Sequence, residues 1–140
     1  MRRRASRSRG ASLVEFALTA GIVLTVMFAA MALSQALSTY HFLASAASQA
    51  TRYAIVRGAE CSSWSSACPA SAGDIQSYVR GLVPDGITAA NVNVTTTWLP
   101  DNQPGSFVKV TVAYSFNLEI PFIPAQSLPL SSTAEMTISQ

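Results

Sequence analysis

The sequence has 140 residues, which is room for one small domain. Apolar residues make up 49% and charged residues only 11%, against roughly a quarter of charged residues in typical soluble domains. No Lys, Arg, Asp or Glu occurs from Phe16 to Thr51. A soluble protein of this size cannot bury so long an uncharged run in one core, so the composition favours a membrane protein.

The net charge of +2 conceals a strong asymmetry. Five of the nine basic residues fall within the first nine positions, namely Arg2, Arg3, Arg4, Arg7 and Arg9. A basic cluster can indicate nucleic-acid binding, but here an apolar run follows at once and no basic or aromatic patch recurs later. We therefore expect membrane lipid, and no nucleic acid, among the partners of this chain.

Residues 17–37 form an apolar run interrupted only by Thr, Ser and Gln. A spanning helix needs roughly 20 such residues, and flanking Arg and Lys stay on the cytoplasmic side. The run predicts a single-pass protein of the inner (cytoplasmic) membrane, with its N-terminus in the cytoplasm and its C-terminal domain outside. The alternative is a cleaved secretory signal, whose apolar core is usually about 7–15 residues long. The segment Ala32-Leu33-Ser34 keeps that alternative open.

Glu15 lies at the start of the apolar run. A charged side chain at the centre of a membrane helix costs about 2.5–3.5 kcal/mol, and less near the interface. One interpretation is an interfacial acid in the first helical turn, where the helix dipole favours it.

The other interpretation rests on the segment RGASLVEF, residues 9–16, which resembles the cleavage motif of prepilins. The resemblance implies cleavage after Gly10, which leaves Ala11 as the new N-terminus and Glu15 as the fifth mature residue. The new ammonium group would lie about 6 Å along the helix from Glu15. Glu15 is then expected to pair with the terminal amine of an adjacent subunit and to set the register between subunits.

Two longer stretches resemble the TadE family of pilin-like proteins from the Tad (tight adherence) system. They are RGASLVEFAL at residues 9–18 and ASQATRYAIVRG at residues 47–58. The resemblance implies a non-enzymatic minor pilin or pseudopilin, processed by prepilin peptidase and acting in pilus assembly, secretion or surface adhesion. Its implied partners are other pilin-like subunits and the pilus assembly platform. Family members often have Pro six residues after the Glu. This chain has Gly21 at that position, so a proline kink is not available here.

Small side chains recur at every fourth position of the apolar run, at Ala17, Gly21, Thr25 and Ala29. Such a stripe is typical of membrane helices that approach each other closely, although Ala and Gly are common in membrane helices in any case. The helical pattern continues to about Val56, with Gly58 as an end signal. We therefore expect a leader at 1–10, a long helix at 11–57 that starts near Ser12, and an exported domain at 58–140.

The exported part contains the only two cysteines, Cys61 and Cys68. Export to an oxidising compartment favours a disulfide between them, and no further Cys or His completes a zinc site. Trp64, between them, is either a packing anchor or an exposed contact. His41, on the long helix, is expected to be a surface or packing residue rather than a ligand.

The remaining pattern predicts a short helix and three strands. Ser71 to Asp74 forms a capping box, and Ile75, Tyr78, Val79 and Leu82 follow at helical spacing. The period then changes to two, first from Val92 to Trp98, then from Val108 to Phe116, and finally, after a link with three prolines, from Ala134 to Ile138. The predicted fold class is α+β: a long N-terminal transmembrane helix extending into a small pilin-like domain with a short helix and a three-stranded antiparallel sheet.

An enzyme is disfavoured by the scatter of the titratable residues. Six carboxylates follow Arg57 without paired or metal-ligand spacing, and no catalytic or phosphate-binding motif is present. We expect no cofactor and no metal. The alternative to a pilin-like subunit is a single-pass, membrane-anchored extracytoplasmic binding module with no pilus role.

Overall fold

The computed structural model describes residues 5–61, 67–121 and 123–139. Helix α1 spans Ala5–Ile55 and helix α2 spans Ala72–Gly81. A short 3₁₀ turn, Ala89–Asn91, leads into strands β1 (Asn93–Leu99), β2 (Phe107–Leu118) and β3 (Gln126–Thr137). The predicted α+β class, with one long apolar helix, one short helix and three antiparallel strands, is confirmed.

Helix α1 is one uninterrupted element of 51 residues, about 76 Å long at 1.5 Å per residue. It begins before the expected start near Ser12 because the preceding Ala, Ser and Arg residues have adequate to good helix propensity. Gly21 does not break it. The hydroxyls of Thr19 and Thr25 donate hydrogen bonds to backbone carbonyls one turn earlier, and Thr25 Oγ1 lies 2.8 Å from Gly21 O.

The predicted capping box at the start of α2 is confirmed. The backbone N–H of Asp74 donates to Ser71 Oγ at 3.2 Å, and the backbone N–H of Ser71 donates to Asp74 Oδ2 at 2.9 Å. The side-chain hydrogen bond from Ser71, together with this backbone one, lowers the pKa of Asp74 below its usual value. Ile75 and Val79 face inward and are fully buried.

The sheet has the order β1-β2-β3 and both pairs are antiparallel. The predicted alternation is confirmed on β2, where Val108, Val110 and Val112 are fully buried and their neighbours on the other face are not. Lys109 lies opposite Glu135 in the register, and Thr111 and Thr133 are 2.9 Å apart through their hydroxyls. The sheet therefore has one apolar and one polar face.

The third strand is longer than the sequence pattern predicted. Pro129 was expected in the link before the strand, but it lies inside β3, opposite Ser115. Because β3 is an edge strand, a proline is tolerated where its missing N–H would face away from the neighbouring strand. As a result β2 and β3 form a twelve-residue hairpin arm.

The apolar face of the sheet is covered by the two helices. The outer half of α1 packs on β2 and β3, while α2 packs on β1. The predicted inward face of α1 is confirmed, since Leu43, Ala47, Ala50 and Ala54 are buried whereas Gln49 and Arg52 are exposed. Buried Thr51 satisfies its hydroxyl by donating to Ala47 O at 2.8 Å.

The far end of the domain is tied together by hydrogen bonds. Ser139 donates through its backbone N–H and its hydroxyl to Ile55 O, at 3.0 and 2.9 Å, and so caps the end of α1. In the turn between β1 and β2, Ser106 Oγ donates to Asp101 Oδ1. This hydrogen bond, with that from the backbone of Gln103, lowers the pKa of Asp101.

The contact between α1 and the sheet depends on small side chains, so we expect enlargement of Ala47 to destabilise the domain. Ala47→Leu should lower the free energy of unfolding by about 1–3 kcal/mol, because added methylene groups in a packed core force side chains and backbone to shift. The measurement is urea unfolding of the full chain in detergent micelles, followed by tryptophan fluorescence. The control, Gln49→Leu on the exposed side, should change stability by no more than about 0.5 kcal/mol. Equal effects of the two substitutions would contradict the packing described.

Candidate functional site: the uncovered half of the long helix

Helix α1 divides into a covered and an uncovered half. From Ala32 onward one face of the helix is buried by the domain. Before Ala32 the large apolar side chains remain exposed on all sides. They are Leu13, Val14, Phe16, Leu18, Ile22, Val23, Leu24, Val26, Met27, Phe28 and Met31. We call residues 10–31 the uncovered half.

This helix is long and apolar enough to cross a membrane. The candidate span lies within Gly10–Ile55, near the N-terminus, and its most apolar 18-residue window has a mean hydropathy of 2.3 and is only 6% buried within the protein. The core helix of a soluble protein would be mostly buried. The small buried share therefore indicates that this surface is covered by something other than the chain's own domain.

Glu15 lies in the uncovered half and is exposed. Its backbone carbonyl accepts a hydrogen bond from Thr19 Oγ1 at 3.0 Å. Among the residues whose side chains the structure describes, none forms an ion pair or hydrogen bond with the Glu15 carboxylate. The carboxylate thus lies on a surface that the domain does not cover and that is otherwise formed largely by apolar side chains.

The expected processing residues, Gly10 and Ala11, lie within α1. Both are exposed, and one helical turn separates Ala11 from Glu15. A protease binds its substrate with an extended backbone, so cleavage at this position requires local unwinding of the helix. Glycine at position 10 lowers the cost of that unwinding because it is a poor helix former.

The stripe of small residues forms a shallow groove on the uncovered half. The groove has a volume of about 400 Å³ and is lined by Ala17, Leu18, Gly21, Ile22, Thr25 and Val26. A Cβ atom added at Gly21 would lie more than 4 Å from any other part of the protein apart from the adjacent helix backbone. The stripe therefore leaves room for a neighbouring helix, and its packing role stays a prediction.

The structure shows that the small-residue stripe and the face of α1 that packs on the domain lie on the same side of the helix, which was not predicted from the sequence. At 100° per residue, Gly21, Thr25 and Ala29 lie on the same side of the helix as Ala32 and Ala36, which the domain buries. The stripe is thus the continuation, toward the N-terminus, of the face that packs on the sheet. Small residues, interrupted by Leu43, recur at intervals of three and four positions from Gly21 to Ala54, and this continuous spacing could have predicted a single face. From the sequence alone it was interpreted as two patterns, one in the apolar run and one in the outer half of the helix.

A second unexpected feature is how far the domain reaches along the helix. The loop between β2 and β3 lies beside Phe28, and a shallow cavity of about 440 Å³ separates them. The loop residues lining it are Glu119, Ile120, Pro121, Ile123 and Ala125. The domain therefore extends along the helix to a point nine residues N-terminal to Leu37, which is the last residue of the predicted span.

The other predicted positions lie away from this surface. Cys61 and Cys68 form a disulfide, and Trp64 lies outside the described residues. His41 is exposed, with its ring centre 6.4 Å from that of Tyr40. Within residues 5–61, 67–121 and 123–139, no group of three or more His, Cys, Asp or Glu side chains is arranged to hold a metal ion.

A comparison with protein families matches residues 10–52 to the model described as TadE-like protein. This segment is TadE-like. The match begins at the predicted processing residue Gly10 and ends at Arg52, so it follows α1 through the uncovered half and most of the covered half. The resemblance noted in the sequence is confirmed over these residues, and the TadE-like family is not a known enzyme family. No curated protein and no solved structure matches the chain.

We expect the small-residue groove to bind a second helix, and Gly21→Leu should weaken that association. The leucine side chain would fill the groove and separate the backbones, while leaving the fold of the single chain intact because position 21 is open. We expect a loss of about tenfold in affinity, or 1.4 kcal/mol. The measurement is energy transfer between labelled full-length copies in detergent micelles. Val23→Leu, on the opposite side of the helix, is the control. Equal association of the two variants would contradict helix binding at the groove.

Proposed function

We propose that this chain is a minor pilin or pseudopilin of a Tad-type system, acting in pilus assembly, secretion or surface adhesion. The observation that carries the proposal is the TadE-like helix itself: one continuous element whose C-terminal half is clamped to a small domain and whose N-terminal half is uncovered, apolar and marked by a single acid. That division provides one half for membrane and subunit contacts and another for holding a folded domain outside the membrane.

In this proposal the chain crosses the inner membrane once, with the arginine-rich N-terminus in the cytoplasm. The excess of basic residues before the apolar run supports this orientation. The Cys61–Cys68 disulfide supports it independently, because disulfides persist in oxidising compartments outside the cytoplasm. The domain of residues 58–140 is then extracytoplasmic, and the outer half of α1 serves as its spine.

Prepilin peptidase is the proposed processing enzyme, with cleavage between Gly10 and Ala11. Removal of residues 1–10 creates an ammonium group at Ala11, one helical turn from Glu15. Glu15 is exposed, which leaves its carboxylate accessible to a neighbouring subunit. Pairing with that neighbour's terminal amine offsets the cost of placing both charges in an apolar setting. The same contact fixes the axial register between subunits.

The second candidate function is a membrane-anchored binding module without a pilus role. A cleft of about 410 Å³ between Phe42 of α1, residues 84–87 and Phe116 of β2 favours it, since Gln35, Ser38 and Asp85 add polar groups to an apolar wall. The two functions differ at the N-terminus, because only the pilin-like subunit needs leader removal and a register contact.

The first test is the intact mass of the full chain extracted from membranes, with and without a prepilin peptidase. We expect the peptidase to remove residues 1–10 from essentially all molecules. Gly10→Leu should retain them, because a large side chain at the cleaved bond obstructs the close approach of the protease. Gly81→Leu, at the exposed end of α2, is the matched control and should be processed normally. Retention of residues 1–10 in the wild-type chain would refute the processing step.

The second test concerns Glu15. Glu15→Ala should leave membrane insertion and leader removal unchanged, but should reduce co-assembly with other pilin-like subunits by at least about tenfold, the scale of losing one partly buried ion pair. Co-purification from membranes after crosslinking measures the assembly. Glu60→Ala removes an exposed acid of the domain and is the control for net charge. Normal assembly of Glu15→Ala would exclude the register role.

A further inference from the structure

The tip of the β2–β3 hairpin lies at the depth of the predicted membrane span. This tip, residues 119–121 and 123–125, faces Phe28 across a shallow cavity. Phe28 is twelfth of the 21 residues in the predicted span 17–37, so nine helical residues, or about 13 Å, separate it from the outer end of that span. A domain fixed to the helix at this level cannot stand clear of the bilayer.

The part of the helix surface that the domain does not cover remains apolar beyond the level of the tip. Met31, Leu33 and Leu37 lie beyond Phe28 along the helix and are 60%, 68% and 56% exposed. If the membrane ended below the tip, these three large apolar side chains would stand in water. Their exposure is explained if acyl chains or the headgroup boundary cover them on one side of the helix, while the domain covers the other side.

The tip has the composition of a segment that contacts lipid. Between Leu118 and Leu130 the only charged residue is Glu119, and the remainder is dominated by Ile, Leu, Pro and Phe. Ile123 and Leu128 are 46% and 43% exposed, and Pro121 and Pro124 are also exposed. The opposite end of the domain differs, because its β1–β2 turn is Pro100-Asp101-Asn102-Gln103-Pro104-Gly105.

Two features limit how deep the tip can go. Glu119 is exposed, and a carboxylate is costly in the hydrocarbon core. The loop also carries backbone N–H and C=O groups outside regular structure, which need water or headgroups as partners. Both conditions are met in the headgroup layer, where apolar side chains enter the acyl boundary while carboxylate and backbone remain hydrated.

We propose that the β2–β3 tip is a second membrane contact, seated in the outer headgroup layer beside Phe28. This inference rests on the proposed membrane span, and it moves that span toward the N-terminus. A tip at the interface places the outer boundary of the hydrocarbon near Met31, and 20 residues inward the inner boundary falls near Ser12. The domain is then held against the bilayer by the helix and by the hairpin.

The test uses the full chain reconstituted at low density in phosphatidylcholine–phosphatidylglycerol vesicles. Single cysteines are introduced by Ile123→Cys, Ile22→Cys and Ser131→Cys, and each is labelled with an environment-sensitive fluorophore while Cys61 and Cys68 stay in their disulfide. Nitroxide lipids labelled near the headgroup or near the acyl-chain end report depth, and aqueous iodide reports access to water. Leu128→Cys is a second reporter of the tip.

We expect the label at position 22 to be quenched most by the deep nitroxide. The labels at 123 and 128 should be quenched several-fold more by the shallow nitroxide than by the deep one. Position 131, higher on the same strand, should respond to iodide and to neither lipid.

If 123 and 128 respond only to iodide, or are shielded from both quenchers, the tip contact is refuted while a lipid signal at 22 leaves the span intact. If 22 also fails to respond to lipid, the proposed membrane span is wrong as well.

Discussion

The structure depends on the close contact between one face of α1 and the apolar face of the sheet. That contact is possible because the helix face is built from Ala32, Ala36, Ala46, Ala47, Ala50 and Ala54, with Leu43 and Thr51 among them. Small side chains bring the helix backbone near the valines of β2, so many dispersion contacts form between the helix and the sheet. A sheet with one apolar face must bury that face against another element of the fold. The helix supplies the missing layer, and α2 completes it over β1.

The same face explains how one helix serves two environments. Its small-residue side continues past the end of the domain to Gly21, while its other sides carry Leu, Ile, Val, Met and Phe. Above Ala32 the small side is used by the domain, and below it the groove is open. In the proposed assembly a neighbouring helix occupies that groove. The same side of α1 then packs closely along its length, against the chain's own sheet in the outer half and against a neighbouring helix in the uncovered half. Replacing one of these small residues by a large one would interfere with one of the two contacts.

Much of the fold could be predicted from the sequence, because its signals are local. The capping box at Ser71 and the alternation along β2 depend on residues a few positions apart, and both are found as predicted. Pro129 was misplaced, since a proline normally ends a strand and only the sheet order shows that β3 is an edge.

The approach of the β2–β3 tip to Phe28 could not be predicted either. It follows from the length of the hairpin and the position at which the sheet sits on the helix, which are properties of tertiary packing. The acid at position 15 was visible in the sequence, but its exposure outside the part of the helix that the domain covers was not.

The rigidity of this arrangement links the depth of the helix to the position of the domain. Because the domain is clamped to α1 from Ala32 to Ile55, the hairpin cannot slide along the helix without breaking the core. A tip held in the headgroup layer therefore limits how deeply the helix can enter the membrane. Glu15 is thirteen residues, or about 20 Å, from Phe28 along the helix. In the proposed orientation, this limit would place its carboxylate in the inner leaflet, within a few ångströms of the cytoplasmic interface. At that depth the cost of the charge is lower than at the bilayer centre. Under the proposed function, the single chain could thus remain in the membrane before assembly, and withdrawal of the helix into an assembly would have to free the tip from lipid as well.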